Sequence, residues 1–527
     1  MSPLTANPLK QDVLSHVKCI VICLVVTLGS LQYGLDYALV GGFLSMPGFL
    51  KVFGYYDEAK TTWAISPTVQ QLISSLMTIG TFVGSLLVGP LSWKLGRRVG
   101  LWSASLLCYI STAIMLGSSS VGALYFARLL LGISVGWFMT FAQLYVYEAS
   151  PAHIRAVSLG CYQVTLSIGS IIGSAIDKGT STMESRRAYQ IPLAIFFVVP
   201  TILSICLFFF PESPRWLTVQ GRPQDARKAL SRLRNSKIDP AQLQAELVTI
   251  EKSTEEQMDT GGKPAWIEMW RGTNLRRTLL SISVVCFHSG NGSSWINIYT
   301  TYYFTIAGVK DAFSYSILVS CLGFVGVLIS ICFIRYVDRR QVLFWGCLAC
   351  GICQLVPAIT WSINPGSVNS GRVVVAFIAL FTFFYTMYAP YAWLLGGECP
   401  NNALRPFTFG AATAANFLFN WLGTFTAPYF INPADLNWSA KYGYIWFGSN
   451  VVIAIFVFFC VPETRDRTLE EIHEMFEARV PAREFKNYVC EKTGAFAAEG
   501  MNQAGGLHDD DSRSPSEGQE VNIESKV

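Results

Sequence analysis

The sequence Pro211-Glu212-Ser213-Pro214-Arg215-Trp216-Leu217 opens a polar and charged stretch that continues to Arg277. The chain on both sides of this stretch is mostly apolar, so the stretch divides it into two hydrophobic halves. The halves repeat each other, because the glutamate and arginine that bound residues 148–155 recur at the ends of residues 398–405. Repetition at a distance of about 250 residues predicts two related bundles joined by a linker, rather than a short-period solenoid.

Two dipeptides strengthen this internal repeat. The pair Pro211-Glu212 recurs as Pro462-Glu463, and the basic pair Arg97-Arg98 recurs as Arg339-Arg340. Both recurrences have nearly the same offset, 251 residues for the first dipeptide and 242 for the second. The repeat therefore predicts matching sets of charged residues at the same end of both bundles.

The composition is that of an integral membrane protein. Of the 527 residues, 51% are hydrophobic and 14% are charged, whereas soluble domains carry about 25% charged residues. The net charge of +4 is small and dispersed, so no nucleic-acid partner is predicted. Cys347, Cys350 and Cys353 have the spacing of an iron–sulfur motif, but they lie in an apolar run without a fourth ligand nearby. We therefore predict no metal and no cofactor.

Apolar runs of the length that a transmembrane helix needs, about 20 residues, occur twelve times. Six precede the polar stretch and six follow it, and they lack the alternating pattern of a membrane β-barrel. We therefore predict an all-α membrane protein whose 12 transmembrane helices form two pseudo-symmetric six-helix bundles. The predicted spans are residues 18–42, 67–91, 100–119, 121–147, 157–176, 190–210, 278–306, 313–334, 342–362, 372–396, 406–430 and 444–461.

The predicted spans divide the chain into five segments. The segments are an N-terminal stretch at 1–17, a first bundle at 18–210, a linker at 211–277, a second bundle at 278–461 and a tail at 462–527. Polar and acidic composition predicts disorder in the tail from about residue 492. Short helices outside the bundles are expected at residues 223–234, 240–254 and 468–476.

The distribution of basic residues orients the bundles. The linker carries twelve Lys and Arg residues, whereas the short loops at the two ends are nearly balanced. The positive-inside rule then places the linker and both termini in the cytoplasm. The sequon Asn437-Trp438-Ser439 falls in an external loop between spans 11 and 12, which predicts glycosylation of Asn437.

Two charged residues lie deep in the predicted spans of the first bundle. Asp36 lies in span 1 and Arg128 in span 4. A central Asp costs about 2.5–3.5 kcal/mol on membrane-insertion scales, so such a residue is usually functional or paired. Arg128 is the natural partner of Asp36, either in a static buried pair or in a site that exchanges a proton.

These residues and several motifs make the chain resemble the sugar porter family of the major facilitator superfamily, with fungal members in particular, to about residue 480. The stretch 211–217 matches the family motif after span 6, and 462–471 resembles the motif after span 12, with Asp466 where glycine is usual. Gly96-Arg97-Arg98 matches the end of the motif between spans 2 and 3, although Trp93 stands where an acidic residue is usual. The resemblance implies the major facilitator fold.

The resemblance also implies roles for charged residues. An acidic residue at the place of Asp36 marks proton-coupled members, with Arg128 tuning its carboxylate. Glutamates and arginines at the cytoplasmic helix ends would form an ion-pair gate that opens when the cavity faces inward. The implied gate residues are Arg97, Arg98, Glu148, Arg155, Glu212, Arg215, Arg339, Arg340, Glu398, Arg405 and Glu463.

The same resemblance implies a solute site near the midplane. Gln163, Trp393 and Asn416 match contact positions for sugars, and Tyr299 resembles the aromatic end of span 7. The amides that the family carries in span 7 are replaced by other residues, which we place at His288, Ser289 and Ser294. The departure leaves open a hexose, a larger glycoside, a polyol, an acid sugar or a non-sugar solute.

The sequence predicts a secondary transporter rather than an enzyme. The predicted activity is proton-coupled symport of a sugar or a related polyhydroxylated solute, by alternating access, in a monomer in the plasma membrane. The predicted partners are this solute, protons and the lipid bilayer. An exporter of a small specialised metabolite and a non-transporting nutrient sensor are the alternatives, although sensors usually carry much longer cytoplasmic tails.

Overall fold

The fold is described from a computed structural model. The structure describes residues 16–43, 46–57, 62–234, 240–261, 266–306, 312–334, 336–365, 367–401, 404–431, 436, 438–465 and 467–490. The predicted glycosylation site Asn437 and the tail from about residue 492 lie outside these described residues.

The first half and the linker are helical apart from one short hairpin. The elements in chain order are α1 (Val17–Val26), α2 (Leu28–Phe43), α3 (Pro47–Phe53), β1 (Tyr55–Asp57), β2 (Thr62–Ala64), α4 (Pro67–Gly117), α5 (Val121–Ala149), α6 (Ala152–Thr180), α7 (Arg187–Ile195), α8 (Val198–Phe209), α9 (Pro214–Val219), α10 (Pro223–Leu233) and α11 (Pro240–Gly261). The strands β1 and β2 pair antiparallel, with Tyr56 opposite Trp63.

The second half repeats the helical pattern. Its elements are α12 (Gly272–Gly290), α13 (Ser293–Ile306), α14 (Ala312–Phe333), α15 (Arg339–Ile363), α16 (Val368–Glu398), α17 (Arg405–Ile431), α18 (Gly443–Cys460) and α19 (Leu469–Glu477). Between the halves, α4 packs against α17, α6 against α14 and α2 against α13. We call the end of the bundles that carries α9–α11 and α19 the linker end, and the opposite end, with α3 and the hairpin, the far end.

The helices account for the predicted spans. Within the described residues, nine helical segments are long and apolar enough to cross a membrane. One of them, α4, supplies both span 2 and span 3, and the pairs α1–α2 and α7–α8 each supply one interrupted span. Span 7 is divided between α12 and α13, and span 11 is the more polar helix α17.

Gly96 separates spans 2 and 3 within α4. Its φ of +84° lies in the left-handed region, and a Cβ there would lie 2.8 Å from Oε2 of Glu212. The break leaves the backbone N–H groups of Arg97 and Arg98 free to donate to the Glu212 carboxylate, both at 3.1 Å. A carboxylate is favoured at such a helix start, which explains why this Gly-Arg-Arg sequence and Glu212 belong together.

Span 7 is interrupted where the sequence predicted a continuous helix over 278–306. Gly292 has a φ of +89°, and the chain turns between α12 and α13. The freed Asn291 carbonyl accepts hydrogen bonds from Gln354 Nε2 at 2.7 Å and Asn450 Nδ2 at 3.0 Å. Backbone groups inside a membrane must find partners, so these two amides stabilise the break. The hydropathy of span 7 did not reveal it.

Arg234 joins the linker helices α10 and α11 to each other and to the first bundle. Arg234 donates to both carboxylate oxygens of Glu246, at 3.1 and 2.6 Å, and to the Ala149 carbonyl at the end of α5, at 2.9 Å. Leu217 and Leu230 pack in a small apolar cluster beside it. The linker is therefore a folded part of the linker end rather than an extended connection.

We expect Glu246→Gln to lower the melting temperature and to reduce its dependence on pH. Burial acts to raise the pKa of Glu246, but the neighbouring Arg234 outweighs burial and the pKa is lowered. A lowered pKa stabilises the folded state above the unfolded value of about 4.3. This contribution is lost as the pH falls through the folded-state pKa. Loss of the pair should cost about 1–3 kcal/mol.

Thermal unfolding of wild type and variant across a pH series checks this prediction. Asp225→Asn is the matched control, because its partner Arg222 is 57% exposed and the pair lies on the same linker. The control should unfold like the wild type. A Glu246→Gln curve that parallels the wild-type curve at every pH would contradict a stabilising role for the buried pair.

Candidate functional site

A cavity lies between the two bundles. Its volume is about 1060 Å³, including open solvent at its mouth. Helices α2 and α6 line it from the first bundle, and α12–α14, α16 and α17 line it from the second. On α2, α6 and α14 most of the lining residues lie in the half of each helix nearer the far end. The cavity therefore extends from the middle of the molecule towards the far end.

The described lining residues are polar but carry no Asp, Glu, Lys or Arg. Hydroxyl groups predominate, on Ser167, Ser170, Ser174, Ser293, Ser294, Thr300, Thr301, Ser316, Ser320, Thr382 and Thr386. Amides on Gln163, Asn297 and Asn420 and aromatic rings on Tyr33, Tyr37 and Tyr385 complete the polar surface. Such a lining offers many hydrogen bonds to a solute without a charge that would select an ion.

Three of the seven residues predicted to bind solute line this cavity. Gln163 projects from α6, and His288 and Ser294 project from the two sides of the span 7 break. The His288 ring lies against Tyr385, whose hydroxyl is 2.7 Å from Nε2. The sequence interpretation that placed His288 and Ser294 in span 7 beside the solute is thus consistent with the geometry.

The other four predicted residues lie behind the cavity surface. Trp393 is buried beneath His288, with ring centroids 5.3 Å apart. Ser289 and Asn416 are also buried and are not part of the lining. Tyr299 donates to the Thr424 carbonyl at 3.2 Å, which joins α13 to α17. In this conformation these side chains support the cavity instead of facing it.

Several lining residues escaped the sequence analysis. Asn297 and Asn420 lie one helical turn after the predicted Ser294 and Asn416, so helical periodicity was the signal that could have identified them. Tyr33 and Tyr37 lie one turn apart on either side of Asp36, on the cavity side of α2. The charge of Asp36 is a stronger signal in the sequence than either of these two hydroxyls.

The predicted pair Asp36–Arg128 forms. The two guanidinium nitrogens of Arg128 donate to the two carboxylate oxygens of Asp36, one of them at 3.1 Å. Arg128 Nε also donates to the Ile73 carbonyl at 3.0 Å, and both charged side chains are buried. Neither residue lines the cavity, so α2 separates the ion pair from the solute space.

Charged residues of the first bundle meet at the linker end. Arg97 donates to Glu148 at 2.7 Å and to the Ser92 carbonyl at 3.2 Å. The Ser213 hydroxyl donates to the second oxygen of Glu148. Burial raises the pKa of Glu212, although the Ser213, Arg97 and Arg98 N–H groups act in the opposite direction. This set holds α4, α5 and the start of the linker together.

The second bundle repeats the same arrangement. Arg339 donates to Glu398 and, at 2.7 Å, to Thr464, whose hydroxyl donates to Glu398 at 2.8 Å. The Arg340 N–H donates to Glu463 at 3.1 Å, as its counterpart in the first bundle donates to Glu212. The internal repeat in the sequence therefore corresponds to two ion-pair clusters of matching geometry.

At the linker end, one ion pair crosses between the bundles and a second joins the linker to the helix that follows the second bundle. Arg155 of α6 lies 3.9 Å from Glu398, and Arg215 donates to Glu470 of α19 at 2.5 Å. Burial acts to raise the pKa of Glu470, but Arg215 outweighs burial and the pKa is lowered. Arg405 donates to the Gly397 carbonyl at 3.1 Å. The bundles are thus tied together at the end away from the cavity mouth.

The chain is similar to proteins of a known family over most of its length. The family model described as "Sugar (and other) transporter" matches residues 22–476, which is most of the chain. The chain belongs to this sugar transporter family. It is therefore an integral, multi-pass membrane protein of a transporter family, and the recognition of the family from its sequence motifs is confirmed.

The chain spans most of the length of the curated relatives that it matches. The major facilitator-type transporter ecdD of Aspergillus rugulosus is 29% identical over 468 residues, 86% of this chain and 86% of that protein. The low-affinity glucose transporter HXT1 of Saccharomyces cerevisiae is 28% identical over 473 residues, 88% and 82% of the two chains. The relatives thus include a glucose transporter and a transporter whose name states no solute.

Solved structures establish the fold. The proton:xylose symporter XylE of E. coli, bound to 6-bromo-6-deoxy-D-glucose, superposes with a TM-score of 0.75 at 22% identity. The match covers 88% of this chain and 100% of that one. The predicted fold, two six-helix bundles of the major facilitator type, is therefore confirmed.

Proposed function

We propose that the protein carries a sugar or a related neutral, polyhydroxylated solute across the membrane together with a proton, by alternating access. One observation carries this proposal. A cavity rich in hydroxyls, amides and aromatic rings lies on one side of α2, and the buried pair Asp36–Arg128 lies on the other. A glucose transporter among the relatives and a proton:xylose symporter among the similar structures support it.

Buried polar atoms without partners favour a hydroxylated solute. Within the described part of the chain, the cavity-lining atoms Gln163 Oε1 and Ser294 Oγ have no hydrogen-bond partner. A buried unpaired polar group costs about 1–3 kcal/mol. Solute hydroxyls can both donate and accept, so they would satisfy these atoms where an apolar solute would not.

The ion pairs at the linker end supply the gate. They close the bundles below the cavity, while the cavity extends to the far end. Release of solute at the linker end requires these pairs to break and the far end to close. With the linker in the cytoplasm, as the basic residues predict, this conformation faces outward. A proton gradient directed into the cell would then drive import across the plasma membrane.

Protonation of Asp36 supplies the coupling. A neutral Asp36 no longer attracts Arg128 as a carboxylate does, so α2 becomes free to move relative to α5. Because the solute contacts the opposite side of α2, the same helix senses both ligands. A proton and a solute that both bind more tightly to the conformation in which α2 has moved increase each other's affinity by linkage.

Transport by the purified protein in vesicles tests the proposal. A pH gradient is imposed, an internal dye reports pH, and D-glucose, D-xylose, polyols, acid sugars, glycosides and non-sugar metabolites are tested in turn. Acidification that follows a neutral sugar or polyol is the expected result. Movement of a non-sugar metabolite alone would overturn the sugar assignment and favour the exporter, for which the altered span 7 is the supporting observation.

We expect Gln163→Ala to raise the KM for the solute by about three- to tenfold, with little change in the maximal rate. Its amide projects into the cavity and loses one hydrogen bond to a neutral partner, worth about 0.5–1.5 kcal/mol. Gln190→Ala is the matched control, because Gln190 lies on α7 away from the cavity lining. An unchanged KM for Gln163→Ala, measured by initial rates in vesicles, would contradict the proposed site.

A further inference from the structure

A hydrogen bond joins the two bundles inside the cavity. Asn420 of α17 donates through Nδ2 to the Tyr37 hydroxyl of α2 at 2.5 Å. The same nitrogen lies 3.4 Å from the Tyr33 hydroxyl, a weaker contact. The two tyrosine rings pack edge to face, with centroids 4.6 Å apart. Tyr37 and Asn420 both line the solute cavity, so a bound solute can compete for the groups that form this bond.

Tyr37 follows Asp36 directly in the sequence, and the two side chains project from different faces of α2, Tyr37 into the cavity and Asp36 towards Arg128. Adjacent residues of a helix are about 100° apart around its axis, so any rotation that moves one moves the other. The packing of α2 fixes its present rotation, because a Cβ on Gly34 would lie 2.0 Å from the Leu166 carbonyl of α6. A change in the Asp36–Arg128 pair therefore reaches the Tyr37 hydroxyl through rigid backbone.

Asn420 carries the contact onward into the second bundle. The Thr424 hydroxyl donates to the Asn420 backbone carbonyl at 2.9 Å and lies 3.3 Å from the Asn420 Oδ1. The Thr424 carbonyl accepts from Tyr299 at 3.2 Å, and Tyr299 lies on α13, the half of span 7 that reaches the far end. Hydrogen bonds thus join the cavity face of α2 to α17, and α17 to α13.

We propose that Tyr37 and Asn420 are a positioning pair that couples the protonation of Asp36 to movement of the second bundle. The inference rests on the proposed proton-coupled function and names residues for its coupling step. When Asp36 accepts a proton and its hold on Arg128 weakens, α2 shifts, the Tyr37 hydroxyl leaves Asn420, and the amide becomes available to a solute hydroxyl. When the proton leaves, the bond forms again and the two bundles are tied at the cavity.

Other ionisable groups surround Asp36. Arg128 faces it from α5, Cys108 lies near it on the second segment of α4, and Tyr37 adjoins it on α2 itself. On α6 the carboxyl group of Asp177 lies further towards the far end, beside Gly42. Arg128 is the group in direct contact with the Asp36 carboxylate, so the Asp36–Arg128 pair is the element that a proton alters.

A distance measurement without solute tests the positioning pair. Nitroxide labels are attached to cysteines introduced at Thr182 and Ile363, two exposed far-end positions on opposite bundles, with exposed Cys321, Cys332 and Cys460 replaced by serine. Pulsed electron paramagnetic resonance then measures the distance between the two labels, which takes one value in each conformation. The ratio of the populations at the two values is followed as the pH is lowered. In the wild type this ratio should change, and in Asp36→Asn it should not.

Tyr37→Phe removes only the hydroxyl that accepts the short bond from Asn420, and Tyr33→Phe removes the hydroxyl that makes the weaker contact, at 3.4 Å, with the same nitrogen. We expect Tyr37→Phe to reduce the pH-induced change in the population ratio about fivefold, as for one lost hydrogen bond. Tyr33→Phe should keep the wild-type change, and Asn420→Ala should reproduce Tyr37→Phe without further loss in the double variant. A full pH response in Tyr37→Phe, or equal losses in both phenylalanine variants, would overturn the proposal.

The same measurement separates this inference from the proposed function. If the wild-type distances do not respond to pH, proton coupling itself fails and the positioning pair falls with it. If the wild type and Tyr33→Phe respond while Tyr37→Phe responds equally, transport by proton symport stands and only the role of Tyr37 and Asn420 is refuted.

Discussion

Replacing Asp36 by asparagine is expected to abolish accumulation of solute driven by a pH gradient, while exchange between internal and external solute continues. Asparagine is close in shape to aspartate, but its amide does not take up a proton at physiological pH. The step that links proton and solute is therefore lost. The cavity lies on the other side of α2 and keeps its lining, which is why exchange should survive. Uptake with and without a pH gradient, and counterflow at equal pH, measure the two activities.

Stability must be separated from coupling in this experiment. Asp36→Asn leaves Arg128 buried without its carboxylate, and breaking a buried pair costs about 3–5 kcal/mol. The double variant Asp36→Asn with Arg128→Gln removes both charges and should recover much of the melting temperature without recovering accumulation. Asp177→Asn is the matched control, since it makes the same change in another buried carboxyl group, on α6. Wild-type accumulation by Asp36→Asn would refute the coupling role.

The sequence predicted most of the fold because its signals are local or repeated. Apolar runs of sufficient length identify spans, and the repeat of Glu148 and Arg155 at Glu398 and Arg405 identifies two related bundles. The contact of Asp36 with Arg128 was predictable as well, since two lone charges deep in one apolar bundle have few other partners. A backbone group or a charge inside the membrane is costly without a partner, so few other arrangements of the spans and of these two charges are possible.

Features that depend on packing between distant segments were not predictable. The break in span 7 needs Gln354 and Asn450 from two other helices to satisfy one carbonyl, and hydropathy carries no sign of that. The bond between Tyr37 and Asn420 joins residues 383 apart in sequence. Trp393 was predicted at the solute from the resemblance, yet in this conformation it lies beneath His288. Sequence alone does not show in which conformation of the protein a given side chain faces the cavity.

Replacing Glu398 by glutamine is expected to weaken the gate more than any other single change at the linker end. Glu398 is 1% exposed and contacts Arg339 within its own bundle and Arg155, at 3.9 Å, in the other. The neutral amide leaves two buried guanidinium groups without this carboxylate, at a cost of about 3–5 kcal/mol. Because one of these contacts exists only while the linker end is closed, part of that cost falls on the closed state alone and favours opening.

Two measurements distinguish a gate from a static buried pair. Thermal unfolding reports the total loss, and the labelling rate of a cysteine introduced at Ser158, a buried position one turn after Arg155, reports opening of the linker end. Glu268→Gln is the matched control, because its partner Arg271 is 69% exposed and such pairs contribute about 0–1 kcal/mol. A gate predicts faster labelling for Glu398→Gln and not for Glu268→Gln. A lower melting temperature with unchanged labelling would mean that Glu398 stabilises the second bundle and takes no part in closing the linker end.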